Sequence, residues 1–177
     1  MSQVGQIKGQ SKNIWLTTLQ HISKFIFFND KSIVWIFLNK TITKKILLFY
    51  ALLLFLPIKS ITTGEIYFLN IGFIIEGLIL SFFYYVILYL MIPIKRIYLG
   101  GLLRVFLSIE VINIFMLISL CLNKYGLVVL YSIVIGWYFT LSVYSIYRIM
   151  KITYKRAIFI VSIAFLLTNF IPMMFNN

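Results

Sequence analysis

Only four of the 177 residues are Asp or Glu, and two of these, Glu76 and Glu110, stand inside long apolar runs. An ionisable group in such a run is costly to bury, so it marks a place where chemistry could be done. Glu76 lies ten residues into a run that starts near Ile66, about 15 Å along a helix at 1.5 Å per residue. Glu110 lies twelve residues into the next run from its opposite end, about 18 Å by the same rise. Two carboxylates at one depth on neighbouring helices could share a proton or hold a cation. Asn113 follows Glu110 at i+3 and so shares its helix face. Arg104, about 9 Å in from the end from which Glu110 is counted, can snorkel back to that end, the inner side. The alternative is structural: either Glu is held protonated, or Arg104 pairs with one of them and fixes helix register. Glu76, Glu110, Asn113 and Arg104 form the candidate ion or proton site.

Other chemistries find no residues. His21 is the only histidine, it has no obvious acidic partner, and no nucleophile–base–orienter set can be assembled around it. It is expected on a solvated polar face. Cys121 is the single cysteine, which excludes an intrachain disulfide and a cysteine metal cluster, and it is expected to act as a small buried hydrophobe. Gly100-Gly101 lacks the Gly-Lys-Ser/Thr ending of a phosphate-binding loop. No catalytic residue, cofactor or metal is expected, and the chain is not expected to be an enzyme.

The elements that must position these residues follow from composition. Hydrophobic residues make up 62% and charged residues 11% of the chain, against about 45–50% and about 25% in soluble domains. A soluble fold of this length could not hide that much apolar surface. The expected fold is all-α: a polytopic membrane helical bundle. A bilayer core needs about 20 apolar residues per helix. Five segments qualify: Ile46 to about Thr63, about Ile66 to Ile94, about Tyr98 to Leu122, about Tyr125 to Tyr147, and about Ala157 to Phe175. The first is the weakest, with Lys45 and Lys59 close at either end.

The formal charge of +12 tests this division. With the amino terminus cytoplasmic, the inner segments hold Lys8, Lys12, Lys24, Lys31, Lys40, Lys44 and Lys45, then Lys95, Arg96 and the nearby Arg104, then Arg148, Lys151, Lys155 and Arg156. Only Lys59 and Lys124 fall outside. That distribution obeys the positive-inside rule and implies five spans, amino terminus in and carboxyl terminus out. The opening thirteen residues are polar and carry no secretory h-region, so the amino terminus is expected to stay on the cytoplasmic side.

Residues 1–45 are expected to form a cytoplasmic segment ahead of a transmembrane domain at 46–177. Trp15, Leu19, Ile22 and Ile26 recur at helical spacing, and Ile33–Leu38 is a second short apolar run. Both are expected to lie as amphipathic helices in the interface, anchored by Trp15 and Trp35, with packing against the bundle as the alternative. Lys24, Lys44, Lys45, Lys95, Arg96, Arg148, Lys151, Lys155 and Arg156 are the expected contacts with anionic headgroups. These basic stretches alternate with apolar spans and suit lipid rather than nucleic acid. On the fourth span, Tyr131, Tyr138, Tyr144 and Tyr147 either line a polar path or fill gaps between helices. Ser132, Gly136 and Thr140 form a small-residue ladder expected to pack within the bundle, with a second copy as the alternative.

Three short stretches carry a family resemblance: Leu99-Gly100-Gly101-Leu102-Leu103-Arg104 opening the third span, Gly136-Trp137 leading to Tyr144-Ser145-Ile146-Tyr147-Arg148, and Lys155-Arg156-Ala157 opening the fifth. Over residues 95–165 the chain resembles the Yip-domain family, five-span membrane proteins named for interaction with Ypt/Rab GTPases. The chain departs from the family in its short, basic amino terminus and in lacking prolines in the early segments ahead of the first span. The resemblance implies a five-span fold without enzymatic activity, acting in membrane organisation or in binding a protein partner or itself. It also implies placement in a bacterial inner membrane. Two alternatives stand beside it: a proton- or ion-linked transporter or channel using Glu76 and Glu110, and a small accessory subunit of a larger complex, in an organelle membrane.

Overall fold

The computed structural model describes residues 3–67, 71–92 and 99–175, with side chains over 14–67, 71–72, 75–92 and 99–168. Lys95 and Arg96, expected at the membrane surface, lie outside the described residues. The described chain is mostly helical. Helix α1 (Gln3–Ile26) ends in a paired turn: the Phe28 N–H bonds to the Phe25 carbonyl at 2.9 Å and the Asn29 N–H to the Lys24 carbonyl at 3.2 Å. Phe28 is the left-handed residue of that turn, at φ 60°, a position that favours glycine. Asn29 then caps α2 (Asp30–Leu38) by accepting from the Ser32 N–H at 3.0 Å. One 3₁₀ turn (Lys40–Ile42) leads into α3 (Thr43–Leu53).

The expected first span is not one helix. Helix α3 holds eleven residues, about 16 Å at 1.5 Å per residue, which is half a hydrocarbon core. It frays through 3₁₀-type bonds from Phe55 to Leu52 and from Leu56 to Leu53. Pro57 stops it, because proline lacks a donor and biases the residue before it away from helix. A hairpin follows: β1 (Ile58–Lys59) pairs antiparallel with β2 (Ile66–Tyr67), Ile58 opposite Tyr67 and Lys59 opposite Ile66. Its turn uses Gly64 at φ 73°, and the Ser60 Oγ accepts from the Thr62 and Thr63 N–H groups, both at 3.2 Å.

Helix α4 (Ile71–Met91) comes next. Helix α5 (Leu99–Ile109) runs without a break into a twelve-residue 3₁₀ segment, Glu110–Cys121, far longer than the three or four residues such segments usually reach. Helices α6 (Lys124–Met150) and α7 (Tyr154–Phe175) complete the chain. Among the described residues, two helices are long and apolar enough to cross a membrane: Leu99–Cys121 and Lys124–Met150.

Helix α5 is the centre. Its Leu102, Val105, Phe106 and Ile109 are all buried, wrapped by α2, α3, α4 and α6. The segment from Ile22 to Ile42 shares that core: Ile22, Phe25, Ile33, Ile36 and Ile42 belong to the same buried cluster as Ile112, Ile146 and Val161. Within the Trp15–Ile26 stripe, Ile22 and Ile26 are buried and Trp15 and Leu19 are exposed. The outer surface is apolar, with Ile71, Phe82 and Leu90 on α4, Val129 and Ile133 on α6 and Phe159 and Leu166 on α7 all exposed.

Three further expectations are corrected. Cys121 is exposed, at the end of the 3₁₀ segment. The ladder of Ser132, Gly136 and Thr140 faces outward rather than into the bundle, and a Cβ built on Gly136 would meet nothing within 4 Å. His21 is half-buried rather than solvated. Its ring stacks on Trp35, 4.0 Å between centroids, and its Nδ1 lies 3.1 Å from the Ser32 Oγ. Burial, and then the Lys24 charge, hold its pKa below the ordinary 6.5.

Candidate functional site

Glu110 stands where α5 changes winding. In a 3₁₀ helix three residues complete a turn, so positions i and i+3 eclipse. Glu110, Asn113, Met116 and Ser119 therefore stand in one row. An α-helix would turn each successive member about 60° off that line. The row has a direct chemical result: the Asn113 Nδ2 donates to Glu110 Oε2 at 2.8 Å. From α6, the Tyr138 hydroxyl donates to the other oxygen, Oε1, at 3.1 Å. Glu110 is 7% exposed. Two donors offset part of the cost of burying its carboxyl group, and each oxygen keeps further acceptor capacity.

That capacity faces a cavity of about 670 Å³. Glu110, Asn113 and Met116 form one wall, Tyr50, Leu53 and Leu54 of α3 another, and Gly77, Leu80 and Ser81 of α4 a third. The hairpin and Tyr131 bound its far end. Glu76 lines the same cavity and is itself exposed. The structure thus brings the two sequence-derived carboxylates to one space, one buried and one exposed. The hairpin is held there by α6 and the 3₁₀ segment: the Lys59 Nζ donates to the Leu122 carbonyl at 2.8 Å, and the Tyr131 hydroxyl donates to the Lys59 carbonyl at 3.1 Å.

Arg104 is placed elsewhere. It is 1% exposed, and its guanidinium reaches across to α2. Nε donates to the Ile36 carbonyl at 2.9 Å, Nη1 to the Thr43 hydroxyl at 3.1 Å, and Nη2 to the Phe37 carbonyl. None of these three acceptors is a carboxylate. Ile36 and Phe37 lie in the last turn of α2, whose carbonyls have no partner within the helix, so the cation satisfies them and complements the helix dipole. Gly101, one turn before Arg104, lets the two helices meet. A Cβ there would stand 2.7 Å from the Phe37 ring and 2.8 Å from the Phe37 carbonyl oxygen.

The other end of α2 is held from α6. The Tyr144 hydroxyl donates to Asp30 Oδ1 at 2.5 Å, the Arg148 Nε donates to the same oxygen at 2.7 Å, and the Arg148 Nη2 pairs with Oδ2. Tyr144 and Arg148 are spaced i, i+4 on one face, and Asp30 sits in the first turn of α2, where a carboxylate is favoured. The Trp137 indole donates to the Ile26 carbonyl at 3.1 Å, tying the end of α1 to α6.

Of the remaining expected surface residues, Lys24, Lys44, Lys151, Lys155 and Arg156 are exposed. Lys45 is half-exposed, its ammonium 5.0 Å from the centre of the Trp15 ring. Sequence reasoning missed two functional partners. Asp30 left a usable signal, an acid directly after an Asn N-cap. Tyr138 left none that singles it out, because the five tyrosines on α6 look alike until the fold aligns one with Glu110. Among the described residues no three of His, Cys, Asp and Glu converge as a metal site would need. Comparisons with family models, with curated proteins and with solved structures return no match.

Proposed function

We propose that this chain is a polytopic membrane protein with the Yip-domain layout. It crosses five times with the amino terminus on the cytoplasmic side, and acts in membrane organisation by binding lipid or a protein partner. The observation that carries this reading is the separation of charge along the body. Lys44, Arg104, Arg148, Lys151, Lys155 and Arg156 belong to the end where α2 is seated, while Lys59 and Lys124 flank the hairpin end. Between the two ends the exterior is apolar, the surface a hydrocarbon layer would cover.

Support for the first crossing comes from the hairpin. Helix α3 covers half the distance, and β1 carries the chain on to Leu122, at the far end of the 3₁₀ segment. The residues that carry the resemblance are themselves contact residues: Gly101, Arg104, Tyr144 and Arg148 all meet α2.

The test is cysteine accessibility in intact cells, on a Cys121→Ser background. Thr62→Cys is expected to react with a membrane-impermeant maleimide from outside, and Thr153→Cys only after permeabilisation. The reverse pattern overturns the orientation, and labelling of both from one side overturns the odd number of crossings between them. Flotation with anionic vesicles tests the lipid contacts: replacing Lys151, Lys155 and Arg156 by Gln is expected to weaken association of the purified protein with phosphatidylglycerol, and no change would remove that role.

A second reading, an ion- or proton-linked transporter, is favoured by one observation: Glu76 and Glu110 line one cavity. Flux in liposomes that survives Glu76→Gln with Glu110→Gln would end it.

A further inference from the structure

The cavity beside Glu110 has a charge, a size and a lining that together select a class of ligand. Its charge is of one sign. Glu76 and Glu110 are the carboxylates, and among the described lining residues there is no Lys, Arg or His. The buried Glu110 carboxyl has only neutral neighbours, Asn113, Tyr138 and Ser81, and no cation among the described lining residues, so a cation placed against it would supply the countercharge that a buried carboxylate requires. Its size is wrong for a bare ion. At about 670 Å³ it falls within the range of roughly 300–1,000 Å³ that holds organic molecules. Two carboxylates without a third ligand also fall short of a divalent-ion cage.

The lining divides in the way an amphipathic cation would need. Glu110 and Asn113 are polar members of the lining, while Leu53, Leu54, Leu80 and Met116 are apolar ones. Tyr50, Tyr67 and Tyr131 add three aromatic rings to the lining, and the faces of such rings attract ammonium groups. The 3₁₀ winding makes this division continuous, since Glu110, Asn113 and Met116 follow one another in a straight row from acid to amide to thioether. A zwitterionic lipid headgroup matches less well, because its phosphate meets no cation in the lining.

We propose that this cavity binds an organic monocation, a substituted ammonium carrying an apolar body. The ammonium sits against the Glu110 carboxylate, the body lies along the leucine walls, and Glu76 attracts the cation from the exposed side. This goes beyond both readings above, because binding needs neither a partner nor flux. Binding without flux would end the transporter reading and leave the site standing. Proton flux without binding would do the opposite.

The experiment uses the full chain in an uncharged maltoside detergent and radiolabelled benzyltrimethylammonium as probe. Saturable binding is expected. Glu110→Gln is expected to weaken it at least tenfold and Glu76→Gln a few-fold. Neopentylbenzene, the neutral carbon isostere, and potassium ion are each expected to compete at least tenfold more poorly than the unlabelled probe. Absence of saturable binding, equal affinity in Glu110→Gln, or equal competition by the neutral isostere or potassium would overturn the proposal. Equal competition by phosphatidylethanolamine would assign the cavity to a lipid and overturn it as well. A measurement on the unaltered protein covers the case in which Glu110→Gln fails to fold. Modification of Glu110 by dicyclohexylcarbodiimide, read on its peptide by mass spectrometry, is expected to slow several-fold with the ammonium present and not with the isostere. An unchanged rate would count against the site.

Discussion

Arg104 and Glu110 lie six residues apart on one continuous helical stretch, and both are almost wholly buried. Their surroundings differ completely. Arg104 meets two carbonyls and a hydroxyl from α2 and α3, at a helix contact so close that only glycine fits at position 101. Glu110 meets the Asn113 amide and the Tyr138 hydroxyl, with the Ser81 hydroxyl beside it, and then a cavity. A buried charge whose capacity is used up by the protein is a fastener. A buried charge whose remaining capacity points into a cavity is available to something else. Position in the sequence cannot separate the two roles, because the difference lies in what the rest of the fold brings to each.

The contrast can be broken most forcefully at the fastener. Arg104→Met leaves one buried and two half-buried acceptors unmet, and a loss of about 3–4 kcal/mol in unfolding free energy is expected, read by denaturant titration in detergent. Arg104→Lys is expected to recover only part of it, since one ammonium cannot reproduce the fork of donors. Gly101→Val drives a side chain into Phe37, and a loss of about 2–3 kcal/mol is expected by the same measurement. Tyr144→Phe removes one bond to Asp30 and is expected to lose about 1 kcal/mol. Glu110→Gln keeps the shape and removes the charge, so its stability is expected to move by less than about 1 kcal/mol in either direction, while its ligand affinity falls as stated above. A large stability loss at Glu110 with intact cation binding would erase the contrast.

The smallest effect concerns pH. Because burial and Lys24 hold the His21 pKa below 6.5, the folded state disfavours the protonated ring. The stability tied to its seat on Trp35 is fully present above the ordinary value and declines as pH falls below it. The protection factor of the amides at the end of α1, which divides out the intrinsic pH dependence of exchange, is expected to fall between pH 7 and pH 5, and this fall should vanish in His21→Phe.

Much of this was legible in residue types and spacing, within limits that have physical causes. Glu110 and Asn113 could be paired from their i+3 spacing, and Glu76 could be put at a similar depth, because hydropathy exposes a stray carboxylate. Arg104 could be found but not its partners: two of the three are backbone carbonyls, which carry no residue signature. The expected span at 46–63 gave way because hydropathy averages over Pro57 and over the Ser60–Gly64 turn cluster, which are local stop signals. Cys121 looked buried from its apolar neighbours, yet it falls at the end of its segment. The long 3₁₀ winding has no sequence mark we can name, and it is the winding that aligns Glu110, Asn113 and Met116.

That winding also stores length. Twelve residues rise about 24 Å at 2.0 Å each as a 3₁₀ helix, and about 18 Å as an α-helix. Rewinding the segment would draw Leu122 about 6 Å toward α5, pull on the hairpin through the Lys59 bond, and swing Asn113 off the Glu110 row. The shape of the cavity and the span of the helix that lines it are therefore one variable. Whatever fixes the length of Leu99–Cys121, including the thickness of the layer around it, also sets how the carboxylate is presented.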